Sequence, residues 1–137
     1  MSAVLGSTLD RSNSDVVLIV DDVPDNLAVL HDALDESGYT VLVATGGEAA
    51  LARAAQALPD IVLLDLEMPE LDGFAVCQRL KEDERTALIP ITILTGLDDR
   101  EHRTRGIESG ADDFLTKPVN MAALTSLVSR WLRATRG

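Results

Sequence analysis

Five short apolar runs, separated by longer segments with helical patterns, limit the possible folds more than any other feature of the sequence. The runs are VVLIV at 16–20, TVLVA at 40–44, DIVLL at 60–64, ITIL at 91–94 and DFLT at 113–116. The first, third and fourth are almost wholly apolar, as expected for strands covered on both faces. Each gap holds about 15 to 25 residues, which is room for a crossover helix rather than a hairpin. The pattern predicts an α/β fold, a doubly wound sandwich with a central five-stranded parallel sheet.

The gaps carry signals for the starts and ends of helices. Pro24 suits the first turn of a helix, and Gly38 can close that helix in a left-handed conformation. Thr45 and Glu48 have the spacing of a capping box, and Asn120 is expected to cap the last helix. We therefore expect one helix after each of the five strands.

The composition indicates one domain with a short leading tail. Residues 1–15 are rich in small polar residues without a sustained period and are predicted to be a flexible tail, with a single domain over 16–137. Cys77 is the only cysteine, which excludes an internal disulfide and a zinc site built from several cysteines. A packing role in the core is the expected one for this thiol.

Charge and hydropathy exclude several classes of function. The net charge is −11, with 12 basic against 23 acidic residues, so direct binding to nucleic acid is not expected. The longest apolar stretches are about five residues, whereas a membrane span needs roughly 20. No signal-peptide pattern opens the chain. We therefore predict a cytoplasmic protein with no membrane partner.

Polar residues with related chemistry follow four of the five predicted strands. They are Asp21 and Asp22 after the first, Asp65 after the third, Thr95 after the fourth and Lys117 after the fifth. In sheets of this kind the ligand crevice lies beyond the carboxyl ends of the strands, so these side chains should converge there. An Asp pair, a threonine or a lysine alone is more often a helix cap or a surface residue. The combination at four strand ends is much rarer.

Such a cluster has a definite chemical use. Neighbouring carboxylates repel one another unless a cation neutralises them, and oxygen ligands of this kind suit Mg²⁺. A carboxylate can also attack phosphorus and form an aspartyl phosphate. Phosphoryl transfer then needs mainly positioning and charge neutralisation, which Mg²⁺ and Lys117 could supply.

Four motifs carry a resemblance to a known family. They are VLIVDD at 17–22, LLDLEMPELDGF at 63–74, ILTG at 93–96 and FLTKP at 114–118. Together, in this order and at these spacings, they are highly specific. Over residues 16–133 the chain resembles the CheY-like receiver domains of two-component response regulators. This resemblance implies a flavodoxin-like sheet with strand order 2-1-3-4-5.

The resemblance also implies a set of roles at the acidic site. Asp65 would be the residue that a histidine kinase or a phosphotransfer protein phosphorylates. Asp22, Asp65 and the backbone carbonyl of Glu67 would bind Mg²⁺ directly, with Mn²⁺ as a substitute, and Asp21 would act through water. The domain would catalyse only its own phosphorylation and dephosphorylation, so it would not be an enzyme in the metabolic sense.

The remaining implied roles concern signal transmission. Lys117 would contact the phosphoryl group and Thr95 would turn its hydroxyl toward it, while Phe114 occupies the family's switch-aromatic position. The peptide bond between Lys117 and Pro118 would be cis. The face formed by the fourth helix, the fifth strand and the fifth helix would change on phosphorylation. That face could form a homodimer or bind an output domain or target protein.

The sequence leaves two alternatives open. The first is a phosphatase of the haloacid-dehalogenase type, which also uses an aspartate nucleophile with Mg²⁺, and Asp65-Leu66-Glu67 faintly resembles its acidic motif. The nucleophile lies on the third predicted strand rather than the first, which disfavours this reading. The second is an interaction module that works without phosphate, which the retained acidic, hydroxyl and lysine positions disfavour.

Overall fold

A computed structural model describes residues 15–66, 68, 72–96 and 100–136 of the chain. Strands and helices alternate along these residues. The strands are β1 Val16–Val20, β2 Thr40–Ala44, β3 Ile61–Asp65, β4 Ile91–Thr95 and β5 Asp113–Thr116. The helices are α1 Pro24–Glu36, α2 Gly47–Ala57, α3 Gly73–Glu82, α4 Arg100–Ser109 and α5 Met121–Arg136. The predicted tail at 1–15 falls almost entirely outside the described residues.

The five strands form one parallel sheet in the order β2-β1-β3-β4-β5. This confirms the predicted α/β sandwich and its strand order. The chain leaves β1 for one neighbour, β2, and later returns to the other side of β1 as β3. Strand order therefore reverses beside β1, and a crevice opens beyond the carboxyl ends of β1 and β3.

Two hydrophobic cores cover the two faces of the sheet. One core packs α1 and α5 against the sheet and contains Val17, Ile19, Leu27, Leu30, Leu34, Ile61, Leu63, Leu94, Leu124, Leu127, Val128 and Leu132. The other packs α2 and α3 and contains Leu18, Val20, Ala44, Ala50, Ala54, Val62, Leu64, Met68, Val76, Cys77, Leu80 and Ile91. Burial raises the pKa of the Cys77 thiol, which agrees with its predicted packing role.

Most of the predicted helix ends are confirmed, and one cap is wrong. Gly38 has a φ of 94° just after α1, and Asn120 accepts a 3.0 Å hydrogen bond from the Ala123 N–H at the start of α5. The capping box at Thr45 does not form. Gly46 is instead the residue before α2, and no described side chain caps this helix. Gly46 has an extended backbone and directly precedes the first helical residue, Gly47, so Thr45 lies one residue too far from the helix to cap it.

Two strands run one residue further than the apolar runs indicate. Asp65 is the last residue of β3 and Thr95 is the last residue of β4, so both side chains are held by strand pairing rather than by loops. Asp60 lies before β3, and its carboxylate accepts a 2.7 Å hydrogen bond from the Val16 N–H. Among the helices of the described residues, none combines the length and apolar character needed to cross a membrane.

Candidate functional site

Three carboxylates from two neighbouring strands meet at the carboxyl edge of the sheet. Asp21 and Asp22 directly follow β1, and Asp65 ends β3, which pairs with β1. Each residue offers one oxygen atom, and these atoms all lie within 4.8 Å of one another. Asp21 is 1% exposed and Asp65 2%, while Asp22 is half-buried. The predicted convergence of these acidic residues is therefore confirmed.

Hydrogen bonds at the start of α1 orient Asp21. Its Oδ1 atom accepts a 2.9 Å bond from the Val23 N–H, and its Oδ2 atom accepts a 3.2 Å bond from the Asn26 amide. Asp21 therefore helps to define the turn into α1 as well as contributing charge to the cluster. The part played by Asn26 was not predicted, because an asparagine five residues along the chain gives no signal of this contact.

Lys117 brings a positive charge to the buried carboxylates. Its Nζ atom donates a 2.9 Å hydrogen bond to Oδ1 of Asp65 and lies 3.9 Å from Oδ2 of Asp21. The backbone N–H of Lys117 donates to the carbonyl of Thr95 at 2.8 Å. The peptide bond between Lys117 and Pro118 is cis, as the family resemblance implied.

Thr95 and Phe114 lie on the same face of the sheet. Thr95 is 2% exposed and pairs with Thr116 across β4 and β5. Phe114 is two residues before Thr116, and side chains two apart on a strand share a face. The Phe114 side chain is half-buried. Thr95 and Phe114 therefore lie on one face of neighbouring strands, two register positions apart.

The start of α3 lies tightly against the strand end that carries Asp65. Asp72 caps α3 by accepting a 2.9 Å hydrogen bond from the Ala75 N–H. A Cβ atom at Gly73 would lie 2.7 Å from the Asp65 carbonyl oxygen and 2.8 Å from the Leu66 Cα. Only glycine permits this approach. Gly73 and the cap at Asp72 were not predicted as site residues, because this packing becomes visible only in three dimensions.

The residues present fit a magnesium ion. Two of the three clustered carboxylates are almost fully buried, and one lysine does not balance their charge. Burial of like charges is unfavourable without a cation, and an all-oxygen donor set is the one that Mg²⁺ prefers. Glu67, whose backbone carbonyl is the remaining expected ligand, lies outside the described residues.

A cavity of about 220 Å³ borders the site on one side. Asp21, Asn26 and Lys117 contribute its polar lining, and α1 and the segment before α5 contribute apolar side chains. Of the three clustered carboxylates, Asp21 lines this cavity, which lies between α1 and the loop after β5.

Comparison with known proteins shows which family this chain resembles. The model of the response regulator receiver domain matches residues 17–129. The chain is 48% identical over 112 residues to the response regulator PleD of Caulobacter vibrioides, covering 82% of this chain and 25% of PleD. It is 44% identical over 119 residues to the DNA-binding dual master transcriptional regulator RpaA of Synechocystis, covering 87% of this chain and 49% of RpaA.

A solved structure with a similar fold contains a metal ion. The receiver domain of a sensor histidine kinase from Pseudomonas aeruginosa PAO1 superimposes with a TM-score of 0.81 at 29% identity, covering 87% of this chain and 98% of that one. That structure holds a magnesium ion coordinated in its active-site cleft.

The family match removes support for the phosphatase alternative, since receiver domains are signalling phosphoacceptors and generally not enzymes. The chain spans about a quarter of PleD and about half of RpaA, so it corresponds to one part of these longer regulators. The fold, the strand-end cluster and the family match lead to one conclusion: this chain belongs to the receiver domains of two-component response regulators.

Proposed function

We propose that Asp65 accepts a phosphoryl group from a phosphohistidine of a histidine kinase or a phosphotransfer protein. The observation that carries this proposal is the 2.9 Å contact between Lys117 Nζ and Asp65 Oδ1 inside the buried acidic cluster. The strand end holds the Asp65 carboxylate in place, and the lysine is positioned to offset negative charge on a group arriving there.

The transfer step uses an oxygen of Asp65 as the nucleophile. A bond forms between this oxygen and phosphorus while the bond between phosphorus and the imidazole nitrogen breaks. The imidazole keeps the bonding electrons and takes up a proton. The product is a mixed anhydride, which water hydrolyses, so the modification is reversible. Self-phosphorylation and self-dephosphorylation are the only reactions that this site is proposed to catalyse.

The metal is proposed to bind at the same cluster. Asp22 and Asp65 would bind Mg²⁺ directly together with the Glu67 carbonyl, Asp21 would act through a water molecule, and Mn²⁺ could substitute. When bound, Mg²⁺ supplies charge neutralisation between the Asp65 carboxylate and the incoming phosphate. The magnesium ion in the Pseudomonas receiver domain supports this assignment.

Thr95 and Phe114 are proposed to transmit the modification. A phosphoryl group that attracts the Thr95 hydroxyl would release space for the Phe114 ring on the same face of the sheet. Such a change would bias a two-state equilibrium of the face formed by α4, β5 and α5. This face would then form a homodimer or engage an output domain or a target protein.

The proposal also covers the boundaries of the domain and the location of the protein. Residues 16–137 would form the receiver domain, preceded by a flexible tail at 1–15, and the protein would be cytoplasmic. The known relatives carry further residues beyond the part matched here, so the output could lie on the same polypeptide or on a separate protein. The strongly acidic composition supports neither direct nucleic-acid binding nor membrane binding by this domain.

Chemical phosphorylation tests the proposal. Incubation with acetyl phosphate or phosphoramidate and Mg²⁺ should add one phosphoryl mass, which hydroxylamine removes, and Asp65→Asn should abolish this labile adduct. Asp25→Asn is the matched control, because Asp25 is an exposed aspartate in the first turn of α1. An adduct of the same stoichiometry and lability in Asp65→Asn would exclude Asp65 as the acceptor.

A phosphomonoester substrate, assayed beside acetyl phosphate, separates the two alternatives. Repeated turnover of a phosphomonoester would favour a phosphatase. Failure of the wild-type protein to accept phosphate would favour an interaction module that works without it.

A further inference from the structure

We propose that Gly106 of α4 positions the Phe114 ring, and that through this contact it sets how tightly the acidic site binds a phosphoryl group. The inference rests on the function proposed above, and Gly106 is assigned as a positioning residue with no direct contact to the phosphoryl group. In α4, with the sequence REHRTRGIES, Gly106 is the single buried residue of the span Arg100–Ser109. Ile107, its apolar neighbour, is 66% exposed.

The Phe114 ring lies against the bare backbone of α4 at Gly106. A Cβ atom at this position would lie 2.8 Å from Cε2 and 3.1 Å from Cε1 of the ring, and it would overlap Cζ. Real Cβ atoms do not approach ring atoms so closely. An alanine at 106 therefore requires either that the Phe114 ring moves or that α4 is displaced from the sheet.

Other contacts of α4 with aromatic rings are more exposed. The guanidinium of Arg103 lies 5.4 Å from the centroid of the Phe114 ring, and that of Arg105 lies 4.2 Å from the centroid of Phe74. His102 stacks on Phe74 with ring centroids 6.4 Å apart. Cation–π contacts at exposed sites are individually weak. Gly106 is therefore the point at which a buried residue of α4 meets the Phe114 ring.

The ring position is connected to the acidic site through β5. Phe114 is three residues before Lys117, whose backbone N–H is bonded to the Thr95 carbonyl. In the conformation that places the ring against Gly106, Lys117 pairs directly with the Asp65 carboxylate. This ring position is the one that accompanies the unmodified Asp65 carboxylate in the structure.

A phosphoryl group at Asp65 would compete with the Asp65 carboxylate for Lys117 and would attract the Thr95 hydroxyl. The modified site is therefore expected to favour a different position of the Phe114 ring. A Cβ atom at 106 excludes the present ring position and should favour the same alternative. By linkage, a substitution that favours the alternative conformation must also increase affinity for whatever ligand favours it. Gly106→Ala should therefore tighten phosphoryl binding at a site that residue 106 does not contact.

Calorimetric titration of beryllium fluoride in the presence of Mg²⁺ tests this inference, because the Kd of this phosphoryl mimic reports on coupling and not on stability. The Kd of Gly106→Ala should be lower than that of the wild-type protein by about fivefold or more. Gly110→Ala is the matched control. Gly110 has a φ of 102°, and a Cβ atom there would meet Lys81 rather than Phe114. This variant should melt at a lower temperature with an unchanged Kd.

If Gly106→Ala does not fold, the same substitution in a variant without the Phe114 ring still tests the steric contact. Phe114→Leu removes the ring atoms that the new Cβ atom would meet, so Gly106→Ala in this background should fold and leave the Kd of Phe114→Leu unchanged. Failure to fold in both backgrounds would contradict the steric contact. If the wild-type protein binds beryllium fluoride and Gly106→Ala binds it equally or more weakly, this inference alone is overturned. If the wild-type protein does not bind it, the proposed function fails first.

Discussion

The ammonium nitrogen of Lys117 and the Oδ1 atom of Asp65 lie 2.9 Å apart, although 52 positions separate the two residues in the chain. β4 lies between β3, which ends at Asp65, and β5, which Lys117 directly follows, so the lysine side chain passes beyond the end of the intervening strand. This placement follows from the parallel sheet, because the carboxyl ends of β3, β4 and β5 lie along one edge.

Lys117→Met should slow phosphorylation of Asp65 by acetyl phosphate roughly a hundredfold, because the variant keeps the side-chain length and removes the charge that stabilises the transferring group. The time course of the phosphoryl adduct in intact-mass spectra measures this rate. Arg130→Met, at an exposed cation on α5, is the control and should leave the rate unchanged. An unchanged rate in Lys117→Met would show that the contact is structural only.

Mg²⁺ should stabilise the folded domain, because only the folded chain brings the three carboxylates together. At ten times its Kd, an ion that binds the folded state alone adds about 1.4 kcal/mol to the free energy of unfolding. Urea titrations with and without Mg²⁺ at matched ionic strength measure this gain.

Asp22→Ala should remove most of the stabilisation by Mg²⁺. Asp25→Ala, which removes the same charge from the exposed first turn of α1, should retain it. Equal unfolding midpoints with and without Mg²⁺ in the wild-type protein, up to high millimolar concentrations, would rule out the metal site.

Features that follow from residue type along the chain, or from the geometry common to parallel sheets, were predictable from the sequence. The strands follow from uninterrupted apolar runs, and the acidic cluster follows from strand ends that a parallel sheet must bring together. Asn120 was identified as a cap because its role depends on neighbouring residues only. The prediction of Thr45 as a cap is wrong because capping-box spacing does not fix the backbone path, and here Gly46 occupies the position before α2.

Features set by packing between distant segments were not predictable. The bonds from Lys81 Nζ to the Ile89 carbonyl and to Asp112, each 2.9 Å long, join α3 to the segments before β4 and β5. A lysine in a helix and an aspartate 31 residues later give no local signal of such a contact. The approach of Gly73 to the Asp65 carbonyl has the same origin, since it depends on where α3 lies over the sheet.

Gly73→Ala should damage the site as well as the fold. The added Cβ atom would press on the Asp65 carbonyl and the Leu66 backbone, and overpacking of this kind costs about 1–3 kcal/mol of stability. Because the strand end that carries Asp65 must shift, Mg²⁺ affinity should fall too.

Urea unfolding and Mg²⁺ titration of the same variant measure the two effects of Gly73→Ala. Gly46→Ala is the control, since no described atom outside its chain neighbours lies within 4 Å of the added Cβ atom; its Mg²⁺ affinity should equal that of the wild-type protein. A Gly73→Ala variant with wild-type stability and wild-type Mg²⁺ affinity would contradict the tight approach of α3.

Identification of the phosphorylated residue tests the central claim most directly. Borohydride reduces an aspartyl phosphate to homoserine, which marks the acceptor permanently. After treatment with acetyl phosphate and Mg²⁺ followed by borohydride, peptide mass spectrometry should find homoserine at position 65 and unchanged aspartate at positions 21 and 22. Homoserine at another position, or a labile phosphoryl adduct with no homoserine at position 65, would contradict the assignment of Asp65 as the phosphoacceptor.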